Sequence, residues 1–234
     1  MMRIAVLISG NGSNLAAIHH AILHKQLQAS IEVVLSSNES ARGLQYATSV
    51  GLRTITLPYT STTCRKEYSK KLRDLLKPFS LDWVVLAGFM RIITEPLLSE
   101  FKDTIINMHP SLLPLYPGLH THEKALAARD KIHGSTIHLV NAKLDDGPII
   151  AQAIVPVEPE DNPERLALRV KKSEWQLYPR VLELIATKKI KVEAGIIKNI
   201  YDCSETISTF TFPHWNNLHD FDATVLQSVG CSSS

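Results

Sequence analysis

Residues 4–18 read IAVLISGNGSNLAAI, and the stretch divides into three parts. Residues 4–8 are a short unbroken apolar run, the pattern of a parallel strand buried on both faces. Ser9, Gly10, Asn11, Gly12, Ser13 and Asn14 form a turn of small and polar residues. Beyond it Leu15, Ile18 and Ile22 recur on one face of a helix expected to reach about Leu27, with His20 and His24 on the solvated face opposite. The opening MMRIAVLISGNG has the apolar run of a signal core, but glycine, asparagine and serine replace the small-residue cleavage site, so it reads as a first strand.

The alternation continues outward. Residues 31–35 predict a strand, 41–50 a helix, 53–57 a shorter strand, and 63–77 a charged helix stopped by Pro78. The run DWVVLA at 82–87 is a second strongly apolar strand, followed by the turn Gly88-Phe89-Met90-Arg91. A short strand at 104–108 leads into HPSLLPLYPG (109–118), whose three prolines fix several φ angles and so favour one backbone shape. A helix at 121–128 and strands at 136–140 and 149–157 come next. In a long helix over 163–186, Leu166, Val170, Leu177, Val181 and Leu184 share a face, and Pro179 predicts a kink or restart. Two short strands, 190–192 and 195–201, close the pattern, and periodicity is lost from Cys203. This is the pattern of an α/β fold: a single Rossmann-like domain over 1–202, with a mostly parallel twisted sheet and helices on both faces, and a tail over 203–234. Ligands of such sheets bind beyond the carboxyl ends of the strands, which gathers 10–14, 88–91, 107–109 and 141–146 at one edge.

Composition narrows the function classes. The 234 residues are 44% hydrophobic and 21% charged, the profile of a globular chain with a sizeable core. Lys and Arg number 25 against 23 Asp and Glu, and no basic stripe appears, which argues against a nucleic-acid binder. No apolar run approaches the roughly 18 residues of a membrane span. Cys64, Cys203 and Cys231 are widely separated and lack a CxxC pair, so a disulfide framework is excluded and a reducing, cytoplasmic setting is expected.

The turn GNGSN (10–14) has the parts of a phosphate cradle, because glycines let backbone N–H groups approach an anion that a helix N-terminus favours. Leu15 stands where the dinucleotide fingerprint needs a third glycine, and the phosphate-binding lysine is missing too, so the cradle points to a phosphate-bearing ligand other than NAD or ATP. A side chain at Gly12 is expected to block the phosphate while leaving the fold intact. Ten histidines raise a metal reading. His20 and His24 have helical ligand spacing without the glutamate of a zinc protease. His120 and His122 near His133 and His138 form a better cluster but lack a cysteine or paired carboxylate, so no metal is expected. Asn107 and His109 are two apart in an extended segment and so face one space, where an amide donor and an imidazole suit charge developing on a carbonyl oxygen. Asp145, in the LDDGP turn, is placed to pair with His109. Ser111 and Cys64 lack the surroundings of a nucleophile.

The runs IAVLISGNGSNLAAI (4–18), VVLAGFMRI (84–92), INMHPSLLPLYPGLHTHEKAL (106–126), HGSTIHLV (133–140) and LDDGPIIAQAIVPV (144–157) resemble the phosphoribosylglycinamide formyltransferase family, in unbroken order over about residues 3–190. The resemblance implies formyl transfer from 10-formyltetrahydrofolate, as cosubstrate and without metal, to the amine of glycinamide ribonucleotide. It makes Asn107, His109 and Asp145 the catalytic trio. It assigns Gly12, Ser13, Asn14, Leu15, Ala16 and Glu174 to the ribonucleotide. It assigns Arg65, Met90, Arg91, Ile92, Ile93, Asn107, Val140, Asn141 and Asp145 to the folate. It also implies small-molecule substrates only, no nucleic-acid or membrane partner, and a monomer or weak homodimer. Lys172-Ser173 replaces the glutamine or threonine usual before the acidic position, and the tail past about Asn199 matches no known pattern. Formyltetrahydrofolate hydrolases share the Asn-x-His and LDxG elements and remain an alternative, as does a non-catalytic nucleotide-binding protein of the same fold.

Overall fold

In the computed structural model, which describes residues 1–60, 62–199 and 226–227, the apolar run of residues 4–8 lies in the middle of a sheet. In chain order the elements are β1 (Met2–Ile8), α1 (Ser13–Leu23), β2 (Ala29–Ser36), α2 (Arg42–Ser49), β3 (Thr54–Thr56), α3 (Arg65–Leu76), β4 (Trp83–Leu86), α4 (Glu95–Glu100), β5 (Ile105–His109), α5 (Thr121–Ala127), β6 (Ile132–Leu139), β7 (Ile149–Pro156), α6 (Pro163–Ala186), β8 (Ile190–Glu193), β9 (Ile196–Asn199) and β10 (Leu226–Gln227). The main sheet has the order β10-β7-β6-β5-β4-β1-β2-β3. Its β3, β2, β1, β4 and β5 run parallel, whereas β6 pairs antiparallel with both β5 and β7. Apart from β10, the expected tail at 203–234 lies outside the described residues.

The unbroken apolar character of β1 follows from being covered twice. Ile4, Val6 and Ile8 enter one core with Leu15 and Ile18 of α1 and Leu177 and Val181 of α6. Ala5 and Leu7 enter the other with Tyr68, Leu72 and Leu76 of α3. Tyr178 of α6 is fully buried and donates its hydroxyl to the Leu86 carbonyl at 2.9 Å, which pins α6 over the end of β4. The Asn162 side chain accepts from the Arg165 N–H and caps α6. The helix neither stops nor restarts at Pro179. The sequence reading missed α4, whose six residues are too short to show a helical period.

The edge rule needs one correction. Because β6 runs against β5, its carboxyl end lies beside the start of β5, where the Val140 N–H bonds the Ile105 carbonyl at 2.9 Å. Only the return of loop 140–148 brings Asp145 up to the carboxyl end of β5.

Gly12 corrects a second expectation. It caps α1 in the left-handed region at φ 72°, and a Cβ there would sit 2.5 Å from the Gly43 Cα. The Gly43 N–H in turn donates to the Gly10 carbonyl at 3.0 Å. The cradle is therefore also the seam between α1 and α2, so a side chain at Gly12 damages the fold as well as the site. Gly12→Ala should lose about 2–5 kcal/mol, from left-handed strain plus overlap, and Gly43→Ala about 1–3 from overlap alone. Urea denaturation reads both, and unchanged midpoints would mean that the two glycines do not touch.

Candidate active site

The register of β5 on β6 sets Asn107 opposite His138 and His109 opposite Thr136, so four polar side chains share one face beyond the end of β4. The Asp145 carboxylate reaches into this group. One oxygen lies 3.4 Å from His109 Nδ1 and accepts from the Gly118 N–H at 2.8 Å, while the other lies 3.8 Å from His138 Nε2. Asp145 adopts a positive φ of 50°, a conformation that aspartate tolerates better than most residues.

The two histidines are held differently. His138 Nδ1 donates to the Leu139 carbonyl at 2.8 Å, and burial pushes the ring's pKa down, overriding the opposing pull of that carbonyl and of Asp145. A neutral ring with its proton on Nδ1 leaves Nε2 as an acceptor, which takes an N–H of the Asn107 amide at 3.2 Å. His138 thus fixes the amide's orientation and leaves its second N–H for another acceptor. His109, 4% exposed, has an acceptor at each nitrogen: the Tyr116 carbonyl at 2.9 Å from Nε2 and Asp145 at Nδ1.

The turn read as a phosphate cradle lies on the α1–α6 side of the sheet. Gly12 and Asn14 are buried, while Ser13 and Ala16 are partly exposed. The Leu15 side chain belongs to the core, so only its backbone can serve a ligand. The Gly12 carbonyl accepts from the Ala16 N–H as α1 begins. Glu174 of α6 is 6% exposed and accepts from Asn14 Nδ2 at 2.8 Å. Asn14 Oδ1 is buried with no partner among the described residues. Burial raises the Glu174 pKa to about 7, against the smaller opposing effects of Asn14 and Lys171.

The residues assigned to folate lie on the other side. Met90 and Ile92 are 62% and 40% exposed, whereas Ile93 is buried in the α3-side core, with Val140 packed against it. Asn141 accepts from the Lys143 N–H and turns the loop. Arg65 opens α3 and is exposed, one helical turn before the buried Tyr68. The proposed histidine cluster divides. His122 Nδ1 and His133 Nε2 meet at 3.2 Å, His120 pairs with Glu123 at the surface, and His138 belongs with Asp145. His20 is partly buried, with its ring 4.1 Å from that of the exposed His24. No helix among the described residues is long and apolar enough to cross a membrane.

Residues 2–182 match the formyl transferase family. The phosphoribosylglycinamide formyltransferase of Escherichia coli is 41% identical over 191 residues, covering 82% of this chain and 90% of its own length. Among solved structures, glycinamide ribonucleotide transformylase 1 from Symbiobacterium toebii aligns with a TM-score of 0.82 at 36% identity, covering 86% of this chain and 95% of that one. The phosphoribosylglycinamide formyltransferase of Coxiella burnetii aligns at 0.80 and 39% identity, covering 85% and 93%. The chain belongs to the formyl transferase family.

Within this formyl transferase fold, sequence reasoning missed His138 and the Tyr116 carbonyl as partners of the trio. The alternation of β6 carries the signal for His138, since Thr136 and His138 are two apart and face the same way. The backbone carbonyl left no sequence signal.

Glu174 makes stability depend on pH. Its folded pKa, about 7, lies above its ordinary 4.5, so the unfolded chain releases the proton first. Stability is full below pH 4.5, falls as pH rises to about 7, and is flat above, a loss of roughly 3 kcal/mol. Glu174→Gln keeps an acceptor for Asn14 without the charge. It should flatten most of that slope in denaturant titrations between pH 5 and 8, and an unchanged slope would place the carboxyl in a wetter site.

Proposed function

We propose that this chain transfers a formyl group from 10-formyltetrahydrofolate to the amine of glycinamide ribonucleotide in purine biosynthesis, with residues 1–202 as the catalytic unit. The observation that carries the reading is the Asp145 carboxylate set between His109 and His138, with the Asn107 amide oriented beside them. The cradle at Gly12–Ala16, with Glu174 behind Asn14, suits a ribonucleotide phosphate and ribose on one side of the sheet. The exposed apolar Met90 and Ile92 beside Arg91 suit an amphipathic, anionic folate on the other. The names of the relatives at 41% and 36% identity carry the same formyl transfer and the same ribonucleotide.

In this mechanism the neutral amine attacks the formyl carbon, a C–N bond forms, and the carbonyl electron pair moves onto oxygen. The free N–H of Asn107 donates to that oxyanion. His109 Nε2 exchanges the Tyr116 carbonyl for the same oxyanion, while Asp145 holds the ring by Nδ1. Asp145 also orients a water that takes the proton from the attacking nitrogen to the folate nitrogen, whose bond to carbon breaks as the carbonyl re-forms. No covalent enzyme intermediate and no metal enter the scheme.

The test follows the absorbance change as formylfolate is consumed, with and without glycinamide ribonucleotide. Consumption should require the ribonucleotide, and Asn107→Ala should lower kcat by about 10²–10³, the usual loss of one oxyanion donor. Consumption without ribonucleotide would instead assign the trio to hydrolysis, and no consumption with both substrates would refute the reading.

A further inference from the structure

Arg91 is held twice and left open at its tip. Its Nε–H donates to Ser37 Oγ at 3.3 Å, and its guanidinium carbon lies 4.7 Å from the centre of the Tyr59 ring. Neither terminal nitrogen has a hydrogen-bond partner among the described residues. An arginine restrained at Nε and across its face presents a fixed fork of N–H donors, the geometry that takes a carboxylate bidentately.

The supports are themselves fixed. The Tyr59 N–H bonds the Ser37 carbonyl at 3.1 Å, and the Tyr59 ring meets that of Tyr68 edge-on at 4.9 Å. Tyr68 is 1% exposed and donates to the Leu57 carbonyl at 2.8 Å. Ser37 Oγ also lies 2.7 Å from Ser9 Oγ, which accepts from the Met90 N–H at 2.9 Å. The same polar chain therefore sets the backbone beside exposed Met90 and the cation next to it.

We propose that Tyr59 and Ser37 are positioning residues for the folate cosubstrate, holding Arg91 so that its free fork meets a carboxylate at the glutamate end of that molecule. This rests on the formyl-transfer reading and adds two residues to it. Tyr59, Tyr68 and Arg91 lie on the α3 side of the sheet, whereas Asn14 and Glu174 lie on the α1–α6 side, so the anion that Arg91 meets is the cosubstrate carboxylate and not the ribonucleotide phosphate.

The test is a binding titration that needs no turnover. Tetrahydrofolate and its dimethyl ester, which has the same skeleton without the two glutamate charges, are titrated against the full chain. The wild type should bind the acid about tenfold more tightly than the ester. Tyr59→Leu should weaken the acid about three- to fivefold and leave the ester unchanged, narrowing the difference. Tyr59→Phe keeps the ring face and should restore it, and Ser37→Ala should narrow it less than Tyr59→Leu. Affinity for glycinamide ribonucleotide should not move. Equal wild-type affinity for acid and ester overturns the proposal, as does a Tyr59→Leu loss that falls equally on both. If formyl transfer fails in the assay above while discrimination between acid and ester persists, the reaction is misassigned and the carboxylate site stands.

Discussion

β5 meets β6 with Asn107 opposite His138 and His109 opposite Thr136, and the polar groups of the proposed site take their places from that pairing. Were β6 parallel, its polar residues would leave the sheet at the same edge as β5, and loop 140–148 would have no reason to return. The antiparallel register instead forces the loop to double back, and its return delivers Asp145 between the two histidines. A one-residue slip would turn His138 to the other face of the sheet and leave Asn107 without its acceptor. The parallel half, with β1 covered on both faces, supplies the rigid floor on which this reversal is built.

Partners, and not burial, distinguish His109 and His138, two histidines that are 4% and 2% exposed. His138, opposed by desolvation and tied to the Leu139 carbonyl, works as a neutral acceptor that aims an amide. His109 lies between a carboxylate, 3.4 Å from Nδ1, and the Tyr116 carbonyl, 2.9 Å from Nε2. The Asp145 charge is 91% removed from solvent by its side-chain exposure of 9%, and the Gly118 N–H offsets part of that loss of hydration. The 109–118 loop thus touches Asp145 through Gly118 and His109 through Tyr116.

Much of this was legible in the sequence because it is local. The run IAVLI, the glycine turn after it and the two-residue spacing of Asn107 and His109 announce strand, cradle and shared face without any tertiary information. What was hidden depends on pairing. The two-residue spacing of Thr136 and His138 is local, but only the pairing of β6 with β5 sets His138 opposite Asn107, and the true constraint on Gly12 comes from Gly43, some thirty positions away, which no local pattern connects to it. Six-residue α4 has no period to read, and Pro179 sits inside α6 because packing on the sheet holds the helix together through it.

The central claim is that Asp145 and His109 act as one unit. The direct test is a double-mutant cycle on kcat for formyl transfer, with Asp145→Asn, His109→Asn and the pair. Each single change should be severe, and the double variant should be scarcely slower than the slower single, because a second lesion in a coupled unit removes nothing further. Losses that simply multiply would show two independent groups and contradict the account.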